Sequence, residues 1–338
     1  MAVSLKDIAK RAGVSVASVS NVVNGYRPVG EATRRRVQQA IDELGYSPNL
    51  SARHLRNGRT GIIALAIPEL NNPYFAELAD AAIREAGHHG YTVLLDSTDG
   101  EREKELLVSQ GFRAQVIDGL ILSPVQLDRV DVLNRTSRTP MVLVGERVYN
   151  VPYDHIAIDN VAASIAAMRH LLDLGRRRIA FVGAQTDVNK QPAHLRLHGY
   201  REALGAAGLR YSQRLVVTTD YFGRADGADG LRQLARLPKP PDAIFAYNDL
   251  IAIGVLRAAA ELGLKVPDDI AVVGFDDIEE GRYSNPTLTT ISPDKGSIGR
   301  RAVAALIGRL EGRRDHEPEE VQVPFTLVIR ESTLGRPA

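Results

Sequence analysis

Residues 5–24 read Leu5-Lys-Asp-Ile-Ala-Lys-Arg-Ala-Gly-Val-Ser-Val-Ala-Ser-Val-Ser-Asn-Val-Val-Asn24. Leu5, Ile8, Ala9 and Ala12 recur at the spacing of one helical face. Gly13 breaks the pattern where a tight turn needs a positive φ. Ser15 is a good N-cap for a second helix, which turns Val19, Val22 and Val23 inward and Ala17, Ser18, Ser20 and Asn21 mostly outward. A third helix is predicted after Gly30; it buries Val37, Ala40, Ile41 and Leu44 and stops at Gly45. Helix, glycine turn and short second helix make the helix-turn-helix pattern. Such a unit lays its second helix in the major groove, with the N-terminal residues at the base edges. Arg34, Arg35 and Arg36 suit phosphates, which supply affinity but little sequence information.

The charge distribution agrees. The chain has 338 residues and a formal net charge of +1. Residues 1–60 carry ten Lys and Arg against four Asp and Glu, and the remainder carries 32 against 37. A basic front on a mildly acidic body suggests that only the front meets a polyanion. There is no cysteine, so disulfides and thiolate-held metals are excluded and a reducing compartment fits. The opening residues carry no apolar run after their charges, unlike a signal peptide. No stretch approaches the roughly 18 apolar residues of a membrane span. A cytoplasmic location is expected.

Residues 48–58 read Pro-Asn-Leu-Ser-Ala-Arg-His-Leu-Arg-Asn-Gly. Asn49 suits the cap of a two-turn helix ending near Gly58. A helix that short is not stable alone in water, so folding on DNA is expected. From Gly61 the pattern changes to short buried runs alternating with helical ones. Strands are predicted at 61–67, 91–96, 117–123, 141–145, 179–183, 243–247 and 270–274. Helices are predicted at 74–89, 160–174 and 249–262, among others. Alternation of this kind means a doubly wound α/β fold. Some 270 residues are long for one such sheet. Two lobes are expected, with a ligand in the crevice beyond the carboxyl ends of the strands. There is no G-x-G-x-x-G after a strand, no phosphate-binding G-x-x-x-x-G-K-[ST], no H-E-x-x-H and no G-x-S-x-G. Neither a catalytic centre, a metal nor a cofactor is expected. The adjacent carboxylates Asp276 and Asp277 are read as a strand-end loop, one facing ligand and the other capping or solvated.

The spelling of residues 5–24 closely resembles the N-terminus of the LacI/GalR family of repressors. So do Glu31-Ala-Thr-Arg-Arg-Arg-Val37 and Leu44-Gly-Tyr-Ser-Pro-Asn49. The likeness continues through Asn71-Asn-Pro-Tyr-Phe75, Leu195-Arg-Leu-His-Gly-Tyr-Arg-Glu-Ala-Leu204, Tyr247-Asn-Asp-Leu-Ile-Ala-Ile-Gly254, Val272-Val-Gly-Phe-Asp-Asp277 and Pro286-Thr-Leu-Thr-Thr-Ile-Ser-Pro293. It covers essentially the whole chain. It implies an all-α helix-turn-helix domain (1–47), a hinge (48–60) and a two-lobed, periplasmic-binding-protein-like core. The lobes are expected at 61–160 with 293–322 and at 161–292 with 323–338.

The resemblance also implies residue roles. Val16, Ala17, Ser20 and Asn21 would face the bases, with Ser15 near a phosphate; Leu5, Ser18, Asn24, Tyr46 and Asn49 complete the DNA-facing set. In the hinge, Leu55 would wedge into the central minor-groove step, with Ala52 alongside and Arg53 or Arg56 near phosphates. Asn21 stands where the commonest spelling has Arg. Arg favours guanine and Asn favours adenine, so an altered operator is expected.

In the core, Arg196, Asn248 and Asp276 would form the polar floor of the cleft. Tyr74, Phe75 and Tyr221 would supply apolar walls, and Ser123 and Lys190 would reach in from strand ends. Arg and carboxylate groups bind adjacent sugar hydroxyls in pairs, and without tryptophan ring stacking falls to Phe or Tyr. Many sugar-responsive relatives carry Asp where this chain has Gly145 followed by Glu146. That removes a hydroxyl partner or moves it by one residue. The expected function is repression at palindromic operator DNA, controlled by a sugar or sugar derivative. A purine co-repressor is the alternative, and a periplasmic-type sugar-binding protein is a more distant one. The C-terminus has no leucine heptad, so a homodimer rather than a tetramer is expected.

Overall fold

The computed structural model describes residues 3–24, 28–46, 59–111, 116–187, 191–313 and 317–335. The chain divides into two units, residues 1–60 and 61–338.

In the first unit Ser4 starts helix α1 (Leu5–Ala12) through a reciprocal capping box with Asp7. Gly13 ends it in the left-handed region, at φ 64°. Helix α2 (Val16–Asn24) and helix α3 (Glu31–Leu44) follow. Ile8, Ala9, Ala12, Val19, Val37 and Ala40 form the core of the unit, with Val22, Val23, Ile41 and Leu44 packed against it. The expected inward positions are therefore the observed ones.

The second unit contains two six-stranded sheets. The first runs in the order β11-β5-β4-β3-β1-β2. Its strands are β1 (Ile62–Ile67), β2 (Thr92–Ser97), β3 (Gly119–Leu122), β4 (Met141–Val144), β5 (Asp154–Ala157) and β11 (Glu320–Gln322). Every pairing in it is parallel. The second runs β12-β10-β9-β8-β6-β7. It contains β6 (Ile179–Ala184), β7 (Val216–Thr218), β8 (Ala243–Ala246), β9 (Ala271–Phe275), β10 (Thr289–Pro293) and β12 (Phe325–Val328). It is parallel except for the β10–β12 pair. The strands β1, β3, β4, β6, β8 and β9 are almost wholly buried. Helices on both faces of a parallel sheet require such continuous apolar runs.

The chain crosses between sheets three times. It leaves the first after β5, through helix α7 (Asn160–Asp173), returns after β10 through helix α12 (Lys295–Leu310), and crosses again between β11 and β12. Hydropathy missed β5 because it opens on Asp154 and His155. Both are buried. Asp154 accepts from Arg309 Nε at 2.9 Å and from the Glu319 amide at 3.0 Å, and His155 Nε2 bonds to the Gly145 carbonyl. A charge buried with its partners reads, in sequence, as a surface loop.

Two helices of the second lobe, Arg224–Ala235 and Asp249–Glu261, meet backbone to backbone. A Cβ on Gly254 would lie 1.9 Å from the Arg224 carbonyl oxygen, and one on Gly227 would lie 2.0 Å from that of Ile251. Neither neighbour is a flexible side-chain tip, so the helices themselves must separate. Overpacking of this kind costs about 1–3 kcal/mol or more. Gly254→Ala is expected to lower the unfolding free energy of the core by that amount, read as a lower urea midpoint at an unchanged m. An unchanged midpoint would show that the crossing yields without cost.

Candidate functional site

The carboxyl ends of the two sheets converge on one cavity. β1 delivers Pro68 and Glu69, β3 delivers Ser123 and Pro124, and β4 delivers Gly145 and Glu146. From the other lobe β8 delivers Tyr247 and Asn248, and β9 delivers Asp276. The volume is about 150 Å³.

Arg196 comes from helix α8 (Gln191–Ala206), of which it is a buried residue. Its guanidinium lies 3.5 Å from the Phe275 ring centroid and 4.5 Å from that of Tyr247. Its Nε donates to Asn160 Oδ1 at 2.7 Å, and Nη1 donates to the Tyr247 carbonyl. Nη2 lies 3.9 Å from Asp276 Oδ1. Stacking and hydrogen bonds fix the plane of the guanidinium. Asn248 caps the helix Asp249–Glu261: its Oδ1 accepts from the Ile251 amide at 2.9 Å, and its Nδ2 donates to the Phe222 carbonyl at 3.1 Å. Its acceptor is thus already engaged, and one amide hydrogen remains for a ligand.

Tyr74 and Phe75 form one wall, edge to face at 5.1 Å. Tyr221 does not form another. It is 78% exposed and absent from the lining. Its neighbour Phe222 faces the cavity and stacks on Tyr247 at 4.0 Å. Asn248 fixes that choice by holding the Phe222 carbonyl. Both residues are aromatic and adjacent, so sequence gave no means of separating them.

Asp276 and Asp277 point apart. Asp276 lines the cavity. Asp277 is neither solvated nor a cap. It accepts from Arg330 at 2.6 Å, Arg282 at 3.0 Å and Ser292 at 3.1 Å. Both have positive φ, 112° and 49°, conformations that cost about 1–3 kcal/mol each and persist only where the surroundings hold them. Lys295 helps hold them. Its buried Nζ donates to the Asp276 carbonyl and, at 2.9 Å, to that of Asp277, while pairing with Glu77 at 2.9 Å. Neither Lys295 nor Glu146 was among the expected site residues. Glu146 carried a signal, the one-residue displacement of the family's aspartate; Lys295 carried none.

Lys190 and the hinge residues Asn49, Ala52, Arg53, Leu55 and Arg56 lie outside the described residues. In the first unit Val16 and Ala17 are exposed, and Ser18, Ser20 and Asn21 are half-buried. Ser15 Oγ accepts from the Ser18 amide at 3.1 Å, so it caps the helix presenting these residues. Leu5 and Tyr46 pack against the helical core. Asn24 ends α2, and its side chain is outside the described set. Arg34, Arg35 and Arg36 are exposed on α3.

Burial pushes the Asp276 carboxyl up to about 6, against the pull of Arg196 and Lys295 and with the push of Glu146 and Glu77. A raised carboxyl pKa means that the folded protein binds this proton more tightly than the unfolded chain. Between about pH 4 and 6 stability therefore falls as pH rises, and above 6 the ionised group costs about 1–3 kcal/mol. Asp276→Asn is expected to raise the unfolding temperature by a few degrees at pH 7.5 and by less at pH 4.5. Thermal unfolding at the two pH values checks this; an equal or larger gain at pH 4.5 contradicts it.

Comparison with known proteins shows the family and the fold. Residues 4–49 match the family of bacterial regulatory proteins of the lacI type, and residues 168–333 match a periplasmic binding protein-like domain. The ribose operon repressor of Escherichia coli (strain K12) is 36% identical over 309 residues, covering 91% of this chain and 93% of that protein. The lac repressor dimer bound to operator and the anti-inducer ONPF superposes with a TM-score of 0.84 at 29% identity, covering 98% of this chain and 99% of that one. A complex of the transcriptional regulator CelR with cellobiose gives 0.71 at 31% identity, covering 98% and 99%. A helix-turn-helix unit and a two-lobed cleft, matched in order along nearly the full length, make this chain a member of the LacI family of DNA-binding transcriptional regulators.

Proposed function

We propose that the protein is a dimeric repressor, acting in the cytoplasm, that binds palindromic operator DNA and releases or tightens its grip when a small sugar enters the cleft. The observation that carries the effector reading is the cavity floor, where Arg196, Asn248 and Asp276 meet between aromatic side chains. Adjacent hydroxyls suit a fixed guanidinium and a carboxylate, and ring faces suit aromatic walls. A volume of about 150 Å³ lies below the ~300–1,000 Å³ of sites for drug-sized ligands, which favours a single ring. The operator-bound lac repressor dimer and the ribose operon repressor support repression at DNA by a two-fold assembly.

In this reading Val16, Ala17, Ser18, Ser20 and Asn21 read bases, Ser15, Leu5, Asn24, Tyr46 and Asn49 position the unit, and paired hinges insert Leu55 with Ala52 and Arg56 beside it. The core lobes are 61–160 with 293–322 and 161–292 with 323–338. A sugar acts only through its unequal affinity for two lobe arrangements. A change in lobe angle alters the spacing of the two hinges, with a coupling of about 1–3 kcal/mol. No catalytic step is assigned.

The test is selection from a library of palindromic sites, with and without a panel of sugars and purines. One palindrome is expected to dominate, and one sugar to change its affinity by about 5–150-fold. Leu55→Ala is expected to weaken specific binding at least about tenfold, the equivalent of ~1.4 kcal/mol. Asn21→Arg is expected to move one half-site preference from adenine to guanine. Sequence-blind binding would overturn the repressor reading, a response to purines alone would overturn the sugar reading, and an unmoved base preference would remove Asn21 from the base-reading set.

A further inference from the structure

The charge lining the cleft is lopsided. Glu69, Asp99, Glu146 and Asp276 line it, and Arg196 is the one cation among the described lining residues. Counting Lys190 as a second cation still leaves the carboxylates in excess. Asp99 is paired with Lys104. Glu146 and Asp276 are different: they are 9% and 7% exposed, and the one ion pair either makes among the described residues is the long contact of Asp276 with Arg196. Glu146 accepts one backbone amide, that of Ile158 at 3.1 Å, through Oε1. The Asp276 side chain accepts no hydrogen bond among the described residues, and Arg196 stands off at 3.9 Å. Two buried carboxylates, one from each lobe, thus present acceptor oxygens to the same space.

Several of the groups that would welcome an anion are already partly used. Arg196 gives Nε and one Nη1 hydrogen to the protein. A helix N-terminus is the usual seat of a phosphate, and two of those beside the cleft are already capped. At helix α4 (Pro73–His88), Asn72 Oδ1 accepts from the Tyr74 amide, the Asn72 carbonyl accepts from Phe75, and Pro73 has no N–H. At the helix Asp249–Glu261, Asn248 takes the Ile251 amide, and Asp249 adds a buried carboxyl group behind Asp276.

We infer that the cleft selects by charge, taking an uncharged polyhydroxyl ring and rejecting its phosphate ester, with Glu146 of one lobe and Asp276 of the other as the discriminating pair. This inference rests on the effector reading above and narrows it. Hydroxyl donors satisfy both carboxylates with charge-assisted bonds. A phosphate monoester brings about −1.5 to −2 charges against groups of the same sign, and such juxtapositions are strongly disfavoured.

Calorimetric titration of the full-length protein at pH 7.5 tests it with three pairs: D-ribose and D-ribose 5-phosphate, D-glucose and D-glucose 6-phosphate, adenosine and AMP. The neutral member of at least one pair is expected to bind, with its phosphate ester about 100-fold weaker or worse. Glu146→Gln, which keeps the shape, is expected to shrink that ratio about tenfold. Glu69→Gln, on the exposed rim, gives the same readout with a smaller change should the first variant fail to fold. An ester that binds as tightly as its neutral partner overturns the charge inference and leaves the effector reading standing. A ratio unmoved in both variants overturns the carboxylate assignment. Silence from every compound overturns the effector reading, and the inference with it.

Discussion

The ammonium of Lys295 holds the molecule's working part together. It begins the helix that returns the chain to the first lobe, yet its hydrogen bonds go to two carbonyls of the second, Asp276 and Asp277. Its ion pair goes back to Glu77 in the first. A buried ammonium is costly unless every donor is satisfied, and here three acceptors meet its three protons. The turn at 276–277 has positive φ at both residues, and that grip helps to place the ligand-facing carboxylate. Lobe geometry and the cavity floor are joined through one side chain.

The cavity itself is a place where stability is spent on binding. Asp276 is ionised at neutral pH only against burial, and Asp249 behind it is pushed up for the same reason, despite bonds from Thr290 Oγ1 at 2.6 Å and the Ile278 amide at 2.9 Å. A carboxylate with unused acceptor capacity gains most when a hydroxyl arrives. The adjacent Asp277 does the opposite work: Arg330 and Arg282 hold its carboxyl below the usual range, fixing the crossing segment to the sheet. Two neighbouring aspartates thus divide into a ligand-facing group and a structural anchor, separated only by the direction each side chain takes.

Helical periodicity and glycine stops located the three helices of the first unit, and the alternation of apolar runs located seven strands to within a residue or two. These depend on local chemistry: which face is apolar, and which residue tolerates a positive φ. Arg196, Asn248 and Asp276 reach one cavity because each sits at a strand end or on the helix facing it, and parallel topology brings strand ends together. Tyr221 failed the same reasoning because exposure of one aromatic over the next was set by a hydrogen bond from Asn248, 26 residues away.

The sequence by itself determined the helix-turn-helix unit, seven of the strands and the α/β class of the core, because periodicity, capping and apolar runs are properties of neighbours along the chain. Only the tertiary structure decided that β5 is a strand, that Phe222 rather than Tyr221 lines the cleft, that Glu146 and Asp276 line one cavity and that Lys295 joins the lobes. Each of these depends on a buried polar group finding a partner far away in sequence. A charge that is exposed and a charge that is buried and paired are spelled with the same residue.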